Sequence, residues 1–270
     1  MVTFPHAKIN LGLSVLGKRS DGYHQIETIL YPIALSDMLE IIPSSEPETI
    51  FESARPEIDG HLENNSCLKA YGIMSGQFSI PPVRMFLFKK IPMGAGLGGG
   101  SSDAAHTLRT LDDLFNLNAG HDLLHRIAAG IGSDCPFFLD SRPRLGTGRG
   151  EHLEPIALDL SGLRMMLVKP ALSVSTAEAY AGIVPQKKST SLREIITLPL
   201  DQWQTNLIND FEDSIFRTYP RIRAIKETLL SAGAAYASMT GSGSAVYGLF
   251  ESATPGPSLF PGCFVWTEMF

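Results

Sequence analysis

The sequence has few cysteines, and no two of them stand at a metal-binding spacing. Cys67, Cys135 and Cys263 are single and far apart in a chain of 270 residues, which argues against a disulfide framework or a zinc site. No apolar run approaches the roughly 20 residues of a membrane span. The N-terminus lacks the basic start, apolar centre and small-residue cleavage site of a secretory signal. We therefore expect a cytoplasmic protein.

The sequence also has no excess of positive charge. Lysine and arginine number 22 against 28 acidic residues, a net charge of −6, and no basic run alternates with aromatic residues. Nucleic acid is therefore not an expected partner. Local positive charge in "GKR" at 17–19, "FKK" at 88–90 and the arginines of "SRPRLGTGR" leaves an anionic small substrate possible.

The composition is that of a globular protein large enough for two domains. Hydrophobic residues make up 44% of the chain and charged residues 19%, and we find no internal repeat or low-complexity tract. Strands in runs with helices between them predict an α+β fold. The loop "SRPRLGTGRGEHLEP" predicts a domain boundary near residue 150, separating residues 1–150 from residues 151–270.

The most unusual stretch is "IPMGAGLGGGSSDAA" at 91–105. Before it, alternating apolar residues at 83, 85 and 87 predict a strand. After it, Ala104, Leu108, Leu111 and Phe115 predict a helix, with Ser101 or Ser102 as its N-cap. A strand, a glycine loop and a helix N-terminus together form a site for an anion, because backbone N–H groups and the helix dipole converge there. A phosphate is the expected ligand.

Other glycine motifs fit this stretch less well. The spacing G-x-G-x-x-G is present, but no acidic residue closes a following strand as dinucleotide-binding folds require. No lysine follows the last glycine as in a P-loop, and the sequence contains neither H-R-D nor D-F-G of the protein kinases. A glycine-rich hinge remains an alternative.

Further elements follow from pattern alone. Strands are predicted at 5–16, 26–43 and 49–52, a helix near 65–76, and a helix over "AGHDLLHRIAAGIG" that ends at Gly130 as its C-cap. Beyond residue 150 we predict a strand at "RMMLVKP", a short helix at "STAEAYAGI", mainly helix over 207–233, and two strands joined by a Gly/Ser turn at 236–250.

Three ordered stretches resemble the GHMP small-molecule kinases: "PHAKINLGL" at 5–13, "PMGAGLGGGSSDAA" at 92–105 and "SMTGSGSAVYGLF" at 238–250. The resemblance covers residues 3 to about 250. It implies an N-terminal domain like ribosomal protein S5 domain 2, a ferredoxin-like C-terminal domain, and an active site in the cleft between them. Prolines in 251–270 stand where the family usually has a helix, so the fold of this tail is left open.

Four shorter stretches, "GKRSDGYHQIETIL", "ENNSCLKAY", "GSDCPFFL" and "IND", resemble one branch of that family. This branch uses ATP to phosphorylate the C2 hydroxyl of 4-diphosphocytidyl-2-C-methyl-D-erythritol, on the non-mevalonate route to isoprenoids. The resemblance implies a substrate carrying a cytidine diphosphate group and a monomer or weak homodimer. Another alcohol, such as mevalonate or homoserine, and a nucleotide-binding module without turnover remain alternatives.

Asp134 and Lys8 are the expected catalytic residues. Local sequence alone favours a turn or N-cap aspartate at 134, but the family's catalytic base occupies this place in the motif. Lys8 is the single charge in "FPHAKINLGL", and by resemblance it pairs with Asp134 and stabilises the transferred charge. A surface lysine is the alternative.

The expected substrate residues include two aromatic rings for the cytosine. Tyr23 could stack on the base, His24 could read its edge, and Tyr180 matches an aromatic that closes over it. With Asp134, the full expected set is Asn10, Tyr23, His24, Thr176, Tyr180, Thr240 and Gly241. A turn histidine, a core tyrosine and a plain hairpin turn are the alternatives for His24, Tyr180 and the residues from Thr240.

The expected ATP residues lie in and beside the glycine stretch. Asn65 and Lys90 match family positions near adenine, and the others would surround the phosphates: Pro92, Gly94, Gly96, Gly98, Gly99, Gly100, Ser101 and Ser102. Mg²⁺ is expected with the nucleotide and prefers oxygen ligands, for which Ser102 is the one suggestion.

Overall fold

The computed structural model describes residues 1–54 and 65–270. Part of "ENNSCLKAY" lies outside these residues. The strands are β1 Val2–Thr3, β2 His6–Lys18, β3 His24–Ser36, β4 Met38–Pro43, β5 Ile50–Ser53, β6 Val83–Phe88, β7 Arg144–Gly148, β8 His152–Pro155, β9 Arg164–Pro170, β10 Tyr236–Met239, β11 Val246–Phe250 and β12 Cys263–Met269.

Helices alternate with these strands, so the expected α+β class is confirmed. The helices are α1 Ser66–Phe78, α2 Gly99–Phe115, α3 His121–Ile131, α4 Phe137–Asp140, α5 Thr176–Ala181, α6 Leu192–Ile195, α7 Trp203–Asn206, α8 Phe211–Thr218 and α9 Pro220–Ser231. Short 3₁₀ helices cover Leu200–Gln202 and Pro257–Leu259. Within the described ranges, no helix is long and apolar enough to cross a membrane.

The chain forms two compact units, each built from separate segments. Unit 1 contains Met1–Ala7, Ile33–Ile91 and Gly98–Ser141, and unit 2 contains Lys8–Pro32, Pro92–Leu97 and Arg142–Phe270. The expected boundary near residue 150 therefore falls inside unit 2. The assignment of residues 1–150 and 151–270 to two functional domains stays a prediction.

Unit 1 is a four-stranded sheet in the order β1-β4-β6-β5 with helices packed on it. β5 pairs with β6 in parallel, whereas β4 pairs with β6 and with β1 antiparallel. Val83, Met85 and Leu87 of β6 are buried, as the alternation predicts, and pack in one cluster with Leu108 and Leu111 of α2. This cluster holds the start of α2 at a fixed place in the unit.

Unit 1 differs from the sequence prediction at the ends of two helices. The second predicted helix does not end at Gly130: α3 continues through Ile131 and is capped at Gly132. The N-cap of α2 is Gly98, not Ser101 or Ser102, because Gly98 adopts the left-handed conformation, with φ of +70°, that a serine would adopt only with strain. Both serines therefore lie in the first helical turns.

Unit 2 contains a four-stranded antiparallel sheet in the order β10-β11-β9-β12, covered by helices. Its core includes Met166 and Val168 of β9, Val246 of β11 and Phe211 of α8. A second sheet has the order β2-β3-β7-β8. The C-terminal tail, left open by sequence, forms the 3₁₀ turn at Pro257–Leu259 and then β12, which pairs with β9.

Candidate active site

Lys8 lies inside unit 2 with its ammonium group held by oxygen atoms. It sits in β2 with only 3% of its surface exposed, and Nζ donates to Asn10 Oδ1 (2.5 Å) and to the carbonyl of Gly96 (2.9 Å). Asn10 is equally buried: its Nδ2 donates to Thr28 Oγ1 (2.9 Å), and its Oδ1 accepts from Thr240 Oγ1 (3.2 Å). The surface-lysine alternative is therefore wrong.

The loop Pro92–Leu97 packs against the turn that follows β10. The Gly96 carbonyl accepts from Thr240 Oγ1 (3.2 Å), and a Cβ at Gly96 would lie 2.0 Å from the Thr240 carbonyl oxygen. A Cβ at Gly243 would lie 2.0 Å from the Gly96 nitrogen. Gly94, with φ of +62°, has Ser173 Oγ 2.9 Å from its ideal Cβ position. Close packing explains these glycines, and their contact with phosphate stays a prediction.

Gly241 and Thr240 belong to a hairpin turn that also borders the Lys8 cluster. Gly241 has φ of +55°, and its ideal Cβ position is 3.2 Å from Asn10 Oδ1. Thr240 Oγ1 accepts from the Asn10 backbone N–H at 3.1 Å. These residues therefore form a hairpin turn that contacts Asn10, and their binding of substrate stays a prediction.

In unit 1, the start of α2 presents backbone donors without a side-chain cap. Gly98 has no side chain to cap the helix. The first N–H groups of α2 can therefore donate hydrogen bonds to an anion. Gly100 is exposed and Gly99 is half-buried at this end. The structure therefore has the local geometry of the predicted anion site.

The turn that carries Asp134 lies beside this helix start. The ideal Cβ position of Gly132, the first residue after α3, is 3.6 Å from Ser101 Oγ and 3.3 Å from Cys135 Sγ. Asp134 is half-buried. Burial, with a smaller contribution from the Asp134 carboxylate, raises the pKa of the Cys135 thiol to about 12, which leaves Cys135 neutral and unreactive. The structure thus brings Asp134 and the predicted phosphate helix together.

Three charged residues that the sequence analysis missed support this end of unit 1. Lys89 is buried, and its Nζ pairs with Asp37 and with Asp103 Oδ2, the latter at 2.7 Å. Asp37 Oδ1 accepts from the backbone N–H groups of Lys90 (2.6 Å) and Ile91 (2.8 Å). The cluster therefore fixes both the strand end before the glycine loop and the helix after it. The sequence signal that could have predicted this cluster is Asp103, an aspartate among the buried positions of α2.

Burial shapes the ionisation of this cluster. Burial raises the pKa of Asp103 to about 7, although Lys89 acts in the opposite direction. Burial disfavours the charge on Lys89, but the two carboxylates outweigh it and the pKa of Lys89 is raised. Lys89 therefore stays a cation, and its Nζ is 3.1 Å from the ideal Cβ position of Gly99.

The expected cytosine residues form a cluster within unit 2. The rings of His24 and Tyr180 stack at a centroid distance of 4.7 Å with 19° between their planes. Tyr180 also contacts Phe211 edge-on at 4.8 Å. Tyr23 is 55% exposed, and the Arg149 guanidinium lies 4.9 Å from its ring centroid. The structure brings the rings of His24 and Tyr180 together, and base recognition by the three residues stays a prediction.

The remaining expected residues lie in different settings. Thr176 Oγ1 lies 3.3 Å from Ser242 Oγ at the exposed start of α5. Asn65 is the N-cap of α1, where its Oδ1 accepts from the N–H groups of Cys67 and Leu68. Ser102 is completely buried, and its Oγ has no hydrogen-bond partner among the residues described. The Lys90 side chain is exposed.

Family models match both halves of the chain. The model of the GHMP kinases N terminal domain matches residues 65–141, and that of the GHMP kinases C terminal domain matches residues 189–259. The 4-diphosphocytidyl-2-C-methyl-D-erythritol kinase of Parabacteroides distasonis is 48% identical over 98% of each chain. That of Bacteroides thetaiotaomicron is 49% identical over 93% of this chain and 92% of its own.

The chain belongs to the GHMP kinase family.

Solved structures of GHMP kinases share its fold. A crystal structure of 4-(cytidine 5'-diphospho)-2C-methyl-D-erythritol kinase matches with a TM-score of 0.82 and 31% identity over 99% of this chain and 98% of that one. The Methanococcus jannaschii mevalonate kinase has a TM-score of 0.75 at 15% identity, over 100% of this chain and 98% of its own, and this shows the fold alone. The expected fold class is thereby confirmed.

The exposed Gly100 gives a test of the anion site that leaves the fold intact. In Gly100→Ala the new Cβ would contact only Ser66 Oγ, at a van der Waals distance of 3.6 Å. We therefore expect the midpoint of thermal unfolding to stay unchanged. The methyl group would occupy space beside the free N–H groups, and we expect ATP affinity to fall about 10-fold or more. Calorimetric titration with ATP measures this.

Gly130→Ala is the matched control, because it also replaces a helical glycine and its Cβ meets nothing within 4 Å. We expect unchanged ATP affinity in this variant. Equal ATP affinities in the two variants would show that α2 does not bind the phosphates.

Removing the Lys89 charge should destabilise the protein. Lys89→Met leaves Asp37 and Asp103 buried without their cation, which typically costs about 3–5 kcal/mol. Lys69→Met removes an exposed lysine of α1 instead and should change stability by less than about 0.5 kcal/mol. Thermal unfolding of both variants tests this, and equal midpoints would contradict a supporting role for the cluster.

Proposed function

We propose that this chain transfers the γ-phosphoryl group of ATP to the C2 hydroxyl of 4-diphosphocytidyl-2-C-methyl-D-erythritol, giving the 2-phosphate and ADP. This reaction belongs to the non-mevalonate route to isoprenoid precursors. The observation that carries the proposal is the near full-length similarity to relatives named for this kinase. The uncapped start of α2 beside the Asp134 turn supports a phosphate-transfer site.

Asp134 is the proposed general base. Phosphoryl transfer requires a group that accepts the proton of the attacking hydroxyl. Asp134 is half-buried, and it lies in the turn whose first residue, Gly132, is close to Ser101 of α2. The proton would pass from the C2 hydroxyl to this carboxylate as the oxygen attacks the γ-phosphorus.

Lys8 is the proposed electrostatic stabiliser. Its Nζ donates to Asn10 Oδ1 and to the Gly96 carbonyl, and these contacts orient the ammonium group. A cation fixed in this way favours the negative charge that develops during transfer, because little reorganisation is needed. Asn10 and Thr240 would hold Lys8 in position.

The free N–H groups at the start of α2 would bind the ATP phosphates, with Asn65 and Lys90 proposed near adenine. We include Mg²⁺, which would neutralise phosphate charge when bound. The buried Ser102 Oγ, an oxygen without a hydrogen-bond partner in the part of the chain described, fits as a protein ligand for this ion.

Tyr23, His24 and Tyr180 are the proposed cytosine residues, with Thr176 beside them. A ring stacked on a base contributes favourably whatever the base, whereas imidazole nitrogens can discriminate between donor and acceptor edges. Mevalonate and homoserine have no base to fill such a cluster. The structural neighbours named for those alcohols share only the fold with this chain.

A panel of acceptors tests the proposed activity. ADP release from ATP should require 4-diphosphocytidyl-2-C-methyl-D-erythritol and should stay at background with mevalonate or homoserine. If another alcohol is phosphorylated and this one is not, the proposed substrate is wrong. No turnover with any acceptor, together with ATP binding, would favour a nucleotide-binding module.

Removal of the proposed base should stop turnover and leave binding intact. Asp134→Asn keeps the shape of the side chain, and we expect kcat to fall at least about 100-fold, the usual effect of losing a general base. Asp122→Asn, which changes an aspartate side chain that is 95% exposed, should keep kcat. Near-normal turnover in purified Asp134→Asn would remove Asp134 from the mechanism.

Base recognition should appear as a preference for cytidine diphosphate over uridine diphosphate. The C4 group and N3 exchange donor and acceptor roles between these bases, and each buried mismatch costs about 1–3 kcal/mol, or roughly 5- to 150-fold in affinity. Tyr180→Ala should weaken cytidine diphosphate binding by a stacking loss of about 1–3 kcal/mol, and Tyr180→Phe should not. Equal affinity for the two diphosphates would contradict cytosine recognition.

A further inference from the structure

Two histidines and an aspartate meet on the surface of unit 1. His121 and His125 are four residues apart on α3 and face the same side of the helix. Asp140, the last residue of α4, lies opposite them: its Oδ1 is 3.0 Å from His121 Nε2, and its Oδ2 is 3.7 Å from His125 Nε2. The ligand atoms of the three side chains all lie within 4.8 Å of one another.

We propose that His121, His125 and Asp140 form a binding site for a transition-metal dication of the zinc type. This site is separate from the proposed kinase reaction and does not depend on it.

The spacing of the ligand atoms fits such an ion. A tetrahedral zinc site, with metal–ligand distances of about 2.0–2.2 Å, places neighbouring ligand atoms about 3.4 Å apart. The two nitrogen–oxygen distances of 3.0 and 3.7 Å lie on either side of this value. Small rotations of the side chains would therefore bring all three around one ion.

The ligand chemistry selects the class of metal. Two imidazoles and one carboxylate are a typical donor set for Zn²⁺, whereas Ca²⁺ and Mg²⁺ require mainly oxygen ligands. The His121 side chain is 63% exposed, and His125 and Asp140 are 24% and 21% exposed, so an ion can enter from solvent. Three protein ligands leave a fourth position for water.

A bound ion would connect two helices. His121 and His125 precede the turn at residues 132–136, and Asp140 follows it, so the ion would link α3 to α4 across that turn. Because the folded chain alone assembles these ligands, metal binding should raise the thermal midpoint. The competing interpretation is a plain ion pair between a protonated histidine and Asp140, which predicts no metal binding.

Titration with ZnCl₂ in the absence of nucleotide tests the site. The full chain should carry Cys263→Ser, because Cys263 is the one cysteine that is not buried and could bind zinc itself. We expect one zinc ion per chain by calorimetry and a rise in thermal midpoint of about 4 °C or more at saturation. CoCl₂ should give the visible absorption of a four-coordinate site.

Variants separate this site from adventitious binding. His121→Ala/His125→Ala should abolish the zinc binding, the cobalt spectrum and the thermal shift, and Asp140→Asn should weaken binding at least about 10-fold. His152→Ala removes an exposed histidine elsewhere and should change nothing. Absence of zinc binding in the Cys263→Ser chain, or equal binding in the double-histidine variant, would overturn the proposal.

Discussion

The buried contact between Lys89 and its two carboxylates is the interaction on which the start of α2 and the chain before the glycine loop depend. Asp37 holds the backbone at Lys90 and Ile91, and Asp103 lies on α2, so one cation positions the residues before and after the glycine loop. Charges buried this deeply are costly unless paired. The α2 helix that they position begins without a side-chain cap, so its first N–H groups can donate to an anion.

Lys8 is a buried cation of unit 2. It is as buried as Lys89, and the partners of its Nζ include an amide oxygen and a backbone carbonyl. These partners help to hold the ammonium group in place. The same small network requires glycine at 96 and 243, where a side chain would overlap the backbone. The structure thus explains part of the glycine stretch by packing alone.

Sequence patterns predicted most of the elements because their periodicity reflects burial. Val83, Met85 and Leu87 stand at every second position and are buried in β6. Leu108 and Leu111, three residues apart, are buried on one face of α2, as the predicted helix requires. The helix ends were less predictable. Ser101 is a better capping residue than Gly98 by propensity, but the left-handed backbone at 98 decides where α2 begins.

The candidate site was predictable in part. Motif resemblance suggested Lys8, Asp134, His24 and Tyr180, whose roles stay predictions, and the structure stacks the ring of His24 on that of Tyr180. The Lys89 cluster was missed because Asp37 lies 52 residues from Lys89 in sequence, and no local pattern links the two. The cluster of His121, His125 and Asp140 was missed because α4 is a short helix whose orientation no periodicity predicts.

Phosphorus and carbon NMR of the product tests the central claim most directly. After incubation with ATP and 4-diphosphocytidyl-2-C-methyl-D-erythritol, the account predicts a new phosphate monoester whose phosphorus couples to C2, with the diphosphate bridge intact. ADP and inorganic phosphate as the only new species, or a monoester on a different hydroxyl, would contradict it.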